Sequence, residues 1–254
     1  MRGSGATTRV LAACALAAVA LATPAAAQTV TSTNWSGYAA HSGEADFRTV
    51  SGTWREPAAI CTPGTETESA FWVGLGGYRS SSTAMEQIGT ELDCGVDGSA
   101  SISAWYELVP AASRTIRLTV AAGDVVTARV TVLGRRVTMT LEDVTRGESF
   151  RHTIVAASVD TTSAEWIAEA PSDCTSPSEC AVATLTDFGA VTFSSATART
   201  TTGIGGDVAD PAWTTTRLLL GEATTPSVLA SGGRSFTVTY AATTTGPPGP
   251  GGPS

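Results

Sequence analysis

The sequence predicts an all-β protein, an antiparallel two-sheet β-sandwich. Three observations carry this. Short stretches alternate apolar with polar residues and are rich in Val, Thr, Ile, Trp and Tyr; Gly, Pro, Asp and Ser gather between them; and almost nothing has helical periodicity. About 220 residues after the leader suffice for one β-rich domain with a sizeable core.

The chain opens with Arg2 and Arg9, an apolar run of 13 residues from Val10 to Ala22, and the small-residue site TPAAAQ. That order describes a secretory signal peptide, and the run falls short of the roughly 20 residues a membrane-spanning helix needs. Cleavage is expected after Ala27. The result is a secreted, extracellular chain with no membrane association, organised as a signal peptide (1–27), one sandwich domain (28–243) and a Gly/Pro-rich disordered tail (244–254).

Within the domain, strands are expected in SISAWYELV, TIRLTV, DVVTARVTVL, RRVTMTLEDV, AVTFSSAT, TRLLLGE and SFTVTY. EPAAICTPG, GVDG, AAGD and TRGE supply the turns between strands. RRVTMTLEDVTRGESFRHTIV predicts a hairpin turning through Thr145 to Glu148, with Gly147 providing the special backbone angle. VLASGG carries a faint helical hint. GPPGPGGPS, from Gly246, can neither pair in a sheet nor pack a core.

There is no lysine; all 15 basic residues are arginine. Losing Arg2 and Arg9 with the leader leaves 13 arginines against 23 acids, a net charge of −10. Nucleic acid as a partner would need a basic stripe and is excluded. Four cysteines remain outside the leader, and an even number in an exported chain reads as two disulfides. Three pairings are possible. Cys174 and Cys180 flank the short loop TSPSE and are paired locally, leaving Cys61 with Cys94. A zinc site is the poorer reading, since no CxxC spacing occurs and only His41 and His152 are present.

The common catalytic signatures are missing: no GxSxG elbow, no HExxH, no P-loop and no Gly-rich dinucleotide turn. Amides are scarce. Asn34 is the only asparagine, and Gln87, in STAMEQIGT, is the only glutamine besides Gln28 at the expected new N-terminus. In a composition that avoids amides, an interior glutamine points to a role. Aromatics gather near acids: Trp35 in NWSGY, Trp54 in SGTWREP, Trp72 in FWVGLGGY, Trp105 and Tyr106 in AWYELVP, and Trp166 in AEWIAEA. Each is a core residue by default, and several beside carboxylates suggest a groove. In SAEWIAEAP a strand would place Glu165 and Glu169 on one face.

The order NWSGY, FRTVSGTWREP, FWVGLGG, TAMEQIGT, AWYELVP, AAGD, AEWIAEAP and DFGAVTF resembles the glutamic peptidases, the eqolisins, over about Thr31 to Phe193. The resemblance implies a legume-lectin-like (concanavalin-type) sandwich with a substrate groove on the concave face. It also implies acid-active hydrolysis of polypeptides without metal or organic cofactor, by a monomer. It puts the catalytic pair on Gln87 and Glu169, and substrate contact or orientation of that pair on Trp35, Trp72, Tyr106 and Glu107, to which the groove reading adds Trp105. A carboxylate can activate water as general base, and an amide N–H can stabilise the oxyanion.

Two departures stand out. Gly76 occupies the position where fungal members carry an aspartate, and Thr201 to Ala242 matches poorly beyond a final strand. Two other functions remain open on the residues alone: a glycoside hydrolase using Glu107 and Glu169, whose separation would set its stereochemistry, or a non-catalytic carbohydrate- or peptide-binding module.

Overall fold

Alternation along single strands builds the protein. In Val125–Leu133, Val126, Ala128, Val130 and Val132 are buried while Arg129 and Leu133 are exposed, so each strand lays one apolar row on the core. The computed structural model describes residues 27–43, 46–176, 179–230 and 232–241. Residues 1–26 and the tail from 242 lie outside the described residues, and so do the expected signal peptide and disordered end.

One eight-stranded sheet runs, edge to edge, β1 (Gln28–Ser32), β16 (Thr214–Leu220), β2 (Trp35–His41), β11 (Ser163–Glu169), β4 (Thr67–Gly76), β5 (Met85–Cys94), β6 (Ala100–Val109) and β7 (Arg114–Ile116). All its pairings are antiparallel except β1 with β16. The second sheet runs β10 (Glu148–Val155), β9 (Arg136–Asp143), β8 (Val125–Leu133), β3 (Phe47–Arg55), β14 (Ala190–Thr200), β18 (Phe236–Tyr240) and β17 (Thr224–Pro226), with β15 (Gly205–Asp207) also on β14. A small ribbon, β12 (Ser172–Ser176) and β13 (Glu179–Val182), completes the strands.

The predicted hairpin is β9–β10, closed by Gly147 N–H donating to the Asp143 carbonyl at 2.8 Å. VLASGG forms no helix, and no helix occurs among the described residues.

The main core lies between the sheets and contains Trp54, Trp166, Phe71, Phe193 and Phe236, all at most 2% exposed. Trp166 also ties the layers together, its Nε1 donating to the Ser51 carbonyl at 2.8 Å. A second apolar cluster, Ala39, Ala70, Trp72, Met85, Trp105, Ile167 and Leu218, lies on the other face of the first sheet. That face, turned away from the second sheet, carries the chemistry.

Cys61 and Cys94 form a disulfide, the pair expected once Cys174 and Cys180 are joined locally. Cys180 is disulfide-bonded and stands opposite Cys174 in the β12–β13 register; the Cys174 side chain lies outside the described residues. The segment 201–213, without a counterpart in the sequence resemblance, closes one end of the sandwich: Trp213 packs edge-on against Phe47 and donates to the Val208 carbonyl.

Candidate active site

Three cross-strand rows on the outer face of the first sheet build the site. In the first, Trp35, Glu169, Ala70, Glu91 and Ser103 are register partners across β2, β11, β4, β5 and β6. In the next, Gly37, Ile167, Trp72, Gly89 and Trp105 are partners; in the third, Ala39, Glu165, Gly74, Gln87 and Glu107. The glycines make room for Trp72. A Cβ on Gly89 would stand 2.6 Å from the Trp72 Cβ, and one on Gly74 would stand 2.9 Å from the edge of its indole.

Gln87 and Glu169 therefore flank opposite edges of the Trp72 indole. Its Nε1 donates to Glu169 Oε2 at 2.7 Å, and its far edge lies over Gly74, beside Gln87. Asn34 Nδ2 donates to the other oxygen, Glu169 Oε1, at 2.8 Å. Gln87 is 4% exposed; its Nε2 donates to Glu107 Oε2 at 2.6 Å, while its Oε1 is buried without a partner. One N–H of that amide remains for a substrate. Gln87, Glu107 and Glu169 line a single cleft of about 430 Å³, with Asn34, Trp35 and Trp105.

Burial dominates the electrostatics. It lifts the Glu169 carboxyl to about 7, against hydrogen bonds from Trp72, Trp35 and Asn34 that favour the anion, and with the charge of Glu107 adding to the rise. Glu107 is also raised by burial, its hydrogen bond from Gln87 opposing. Toward one end Asp93 reaches about 7, first from burial and then from Glu91 and Glu68. Among the described residues no group of three or more His, Cys, Asp or Glu side chains is arranged to hold a metal ion.

The structure separates residues that the sequence grouped. Tyr106 is not in the cleft: alternation turns it to the opposite face from Trp105 and Glu107, where it joins the main core and stacks on Phe150. Trp72 is fully buried, and its indole N–H is bonded to Glu169. Trp35 caps Trp72 edge-on, with ring centroids 5.1 Å apart, and lines the cleft.

Asn34 was missed as a site residue. Its signal was the one that singled out Gln87: it is the only asparagine in a chain that avoids amides.

Gly76 has a physical explanation. Its φ is +82°, and a Cβ there would lie 2.5 Å from the Asp160 carbonyl oxygen and 2.6 Å from its Cβ. Asp160 fills the space. Its carboxylate accepts from Ser82 Oγ and from the backbone N–H groups of Gly77 and Thr162.

A β-sandwich with carboxyls and an amide converging on one cleft has the groups that carboxyl-dependent hydrolysis needs. The comparisons with known proteins narrow that class. The chain belongs to the peptidase A4 family, whose profile matches residues 33–240, including the part that the motifs had left unmatched.

Among solved structures it resembles scytalido-glutamic peptidase bound to a peptide-based transition-state analogue (26% identity, TM-score 0.69, covering 82% of this chain and 98% of that one). It also resembles SCP-B, an eqolisin in complex with the tripeptide Ala-Ile-His (26%, TM-score 0.66, covering 82% and 98%). A third is aspergilloglutamic peptidase from Aspergillus niger (30%, TM-score 0.55, covering 69% and 99%). No curated protein sequence matches. The protein is a glutamic endopeptidase, which sets aside the glycosidase and binding-module readings.

Proposed function

We propose that Glu169 activates the hydrolytic water and that Gln87 stabilises the resulting oxyanion. The observation that carries this reading is the pairing in one cleft of a carboxyl bonded by Asn34 and Trp72 with a buried amide tied to Glu107. Ionised Glu169 takes a proton from water, and the hydroxide attacks the scissile carbonyl. The remaining Gln87 N–H meets the oxyanion, and Glu169 returns its proton to the leaving amine, giving a carboxylic acid and an amine. Glu107 orients the amide by accepting its other N–H. The same reading has the peptidase cleaved after Ala27, exported, and acting as a monomer on extracellular polypeptides.

The sequence resemblance implied activity in acid, with Glu169 near the ordinary carboxylate value. Burial moves the working range. With the carboxyl at about 7, the ionised fraction falls about tenfold for each pH step below that, so kcat/KM should climb toward pH 7 instead of levelling at pH 4. Hydrolysis of a quenched peptide across pH 3 to 8 reads this limb directly. Turnover that survives Glu169→Gln would sink the mechanism, and a kcat/KM limb near 4 would refute the raised Glu169 carboxyl, because kcat/KM reports the free enzyme.

A further inference from the structure

The second sheet carries a separate site on its outer face, away from the peptidase cleft. A cleft of about 320 Å³ is lined by Thr49, Ser51, Arg129, Thr197, Arg199 and Arg234, with Gly205 and Gly206 at one side and no carboxylate among its lining. Its floor is made of hydroxyls. Ser51 is the register partner of Arg129 on β8 and of Thr197 on β14, and Thr49 is the partner of Arg199. Arg129 and Arg199 thus rise from the two strands flanking β3, two residues out of line, with backbones roughly 12 Å apart, while Arg234 enters from the turn before β18.

The arginines are not neutralised. Neither Arg129 nor Arg234 makes an ion pair or side-chain hydrogen bond among the described residues. Arg199 is fixed: its Nη1 donates to the Gly203 carbonyl at 2.8 Å, and its guanidinium lies over Gly205, 3.3 Å from where a Cβ would stand. Two carboxylates stand at the edge of the cleft, Asp207 as the register partner of Thr197 and Asp210 against Gly206, each accepting a backbone N–H, from Ala209 and Ala212; the three arginines outnumber them. In a chain of net charge −8 this is a local inversion of sign. It is a single cleft and not a stripe, which suits one compact anion and not a nucleic-acid backbone.

We infer that this cleft binds a tetrahedral oxyanion, a phosphate or sulfate group, on the face opposite the peptidase site. Guanidinium forks match such groups bidentately, and the Thr49, Ser51 and Thr197 hydroxyls add short donors beneath. The anion is held between β8 and β14 without touching the first sheet, so binding leaves peptide hydrolysis unchanged.

The test uses the whole mature chain at pH 5, titrated calorimetrically with sodium sulfate, inorganic phosphate, polyphosphate and dextran sulfate, with sodium chloride at matched ionic strength. Saturable binding is expected for the oxyanions and not for chloride. Arg129→Gln with Arg234→Gln should weaken it about tenfold or more at unchanged kcat/KM, and the corresponding lysine pair should recover only part. Tighter binding per group on the polymers assigns the site to polymer-borne groups; equal binding assigns it to the free ion. Affinity unchanged in the glutamine pair, or an equal response to chloride, overturns the inference.

Discussion

Raising the pH from 4 to 8 should strip this protein of most of its stability. Glu56 and Glu86 are each 1% exposed, and burial lifts their carboxyls from 4.5 to about 7 and about 8. For Glu56 the hydrogen bonds from Thr90 and Trp54 only partly oppose the rise. A folded pKa above the unfolded one means that the folded state holds the proton more tightly. The stability is therefore complete below about 4.5 and is lost as pH climbs, the loss ending near 7 for Glu56 and 8 for Glu86.

At 1.36 kcal/mol per pH unit the two displacements cost about 3 and about 5 kcal/mol. A total of about 8 kcal/mol compares with the whole stability of an ordinary domain, about 5–15 kcal/mol, and corresponds to a fall in Tm on the order of 20 °C. Glu165, wholly buried, is displaced in the same direction. Scanning calorimetry of the wild type, Glu56→Gln and Glu86→Gln from pH 4 to 8 reads the effect. Each amide removes its own titration, so the slope of Tm against pH should flatten in both variants. A wild-type Tm level across that range, or a slope unchanged in both variants, would refute the reasoning.

Three further outcomes follow from the cleft. Gln87→Ala should lower kcat by roughly 100- to 1,000-fold with little change in KM, measured on a short peptide; an equal loss in Glu107→Ala would show that the amide acts only when oriented. Asn34→Ala and Trp72→Phe each remove a donor that favours ionised Glu169. The acid limb of kcat/KM should therefore move to higher pH in both, and a limb that stays put would deny them a positioning role. Gly74→Ala should displace Trp72, whose ring edge stands 2.9 Å from the added methyl, and so lower kcat while the main core, on the other face, keeps Tm within a few degrees.

Much of the fold was legible because a strand buried on one face writes its geometry in alternate residues, as in β8 and β9. Motif order singled out Gln87, Glu107 and Glu169, and the structure brings all three to one cleft. What alternation along single strands could not supply was the pairing between strands. Trp105 and Tyr106 are neighbours in sequence and lie on opposite faces, so assigning both to one groove contradicted the two-residue period itself. For Trp72 substrate contact and orientation of the pair both stayed open, because nothing local shows that Gly74 and Gly89 stand beside it and let it sink into the sheet. Asp160 was invisible because it reaches Gly76 from a loop more than 80 residues further along the chain.

Glu165 and Glu169 show how much the register decides. They share a strand, a face and a side chain, and differ only in what their row brings alongside. Glu169 has Trp35 and Ala70 as partners, and the cleft, Asn34 and the Trp72 N–H reach it. Glu165 has Ala39 and Gly74, which offer nothing, and neither of its oxygens has a hydrogen bond of ordinary geometry; burial raises its carboxyl, with the nearby Ser163 hydroxyl opposing. Nearby Asp160 is held below its usual value by Ser82, Thr162 and Gly77 despite its own burial, so its standing negative charge raises both Glu165 and Glu86. Burial keeps both carboxyls protonated in the folded state; the Asp160 charge adds to this at Glu165, while at Glu86 the Asp160 N–H, donating to Oε1, opposes it. The same packing that secures the sheet behind Gln87 thus opposes rising pH, while Glu169, a few residues away, needs rising pH to ionise. Under the proposed mechanism, ionisation of Glu169 and the stability held by protonated Glu86 therefore oppose each other between about pH 5 and 8, and an amide at Glu86 should widen the active range on its alkaline side without touching the acid limb.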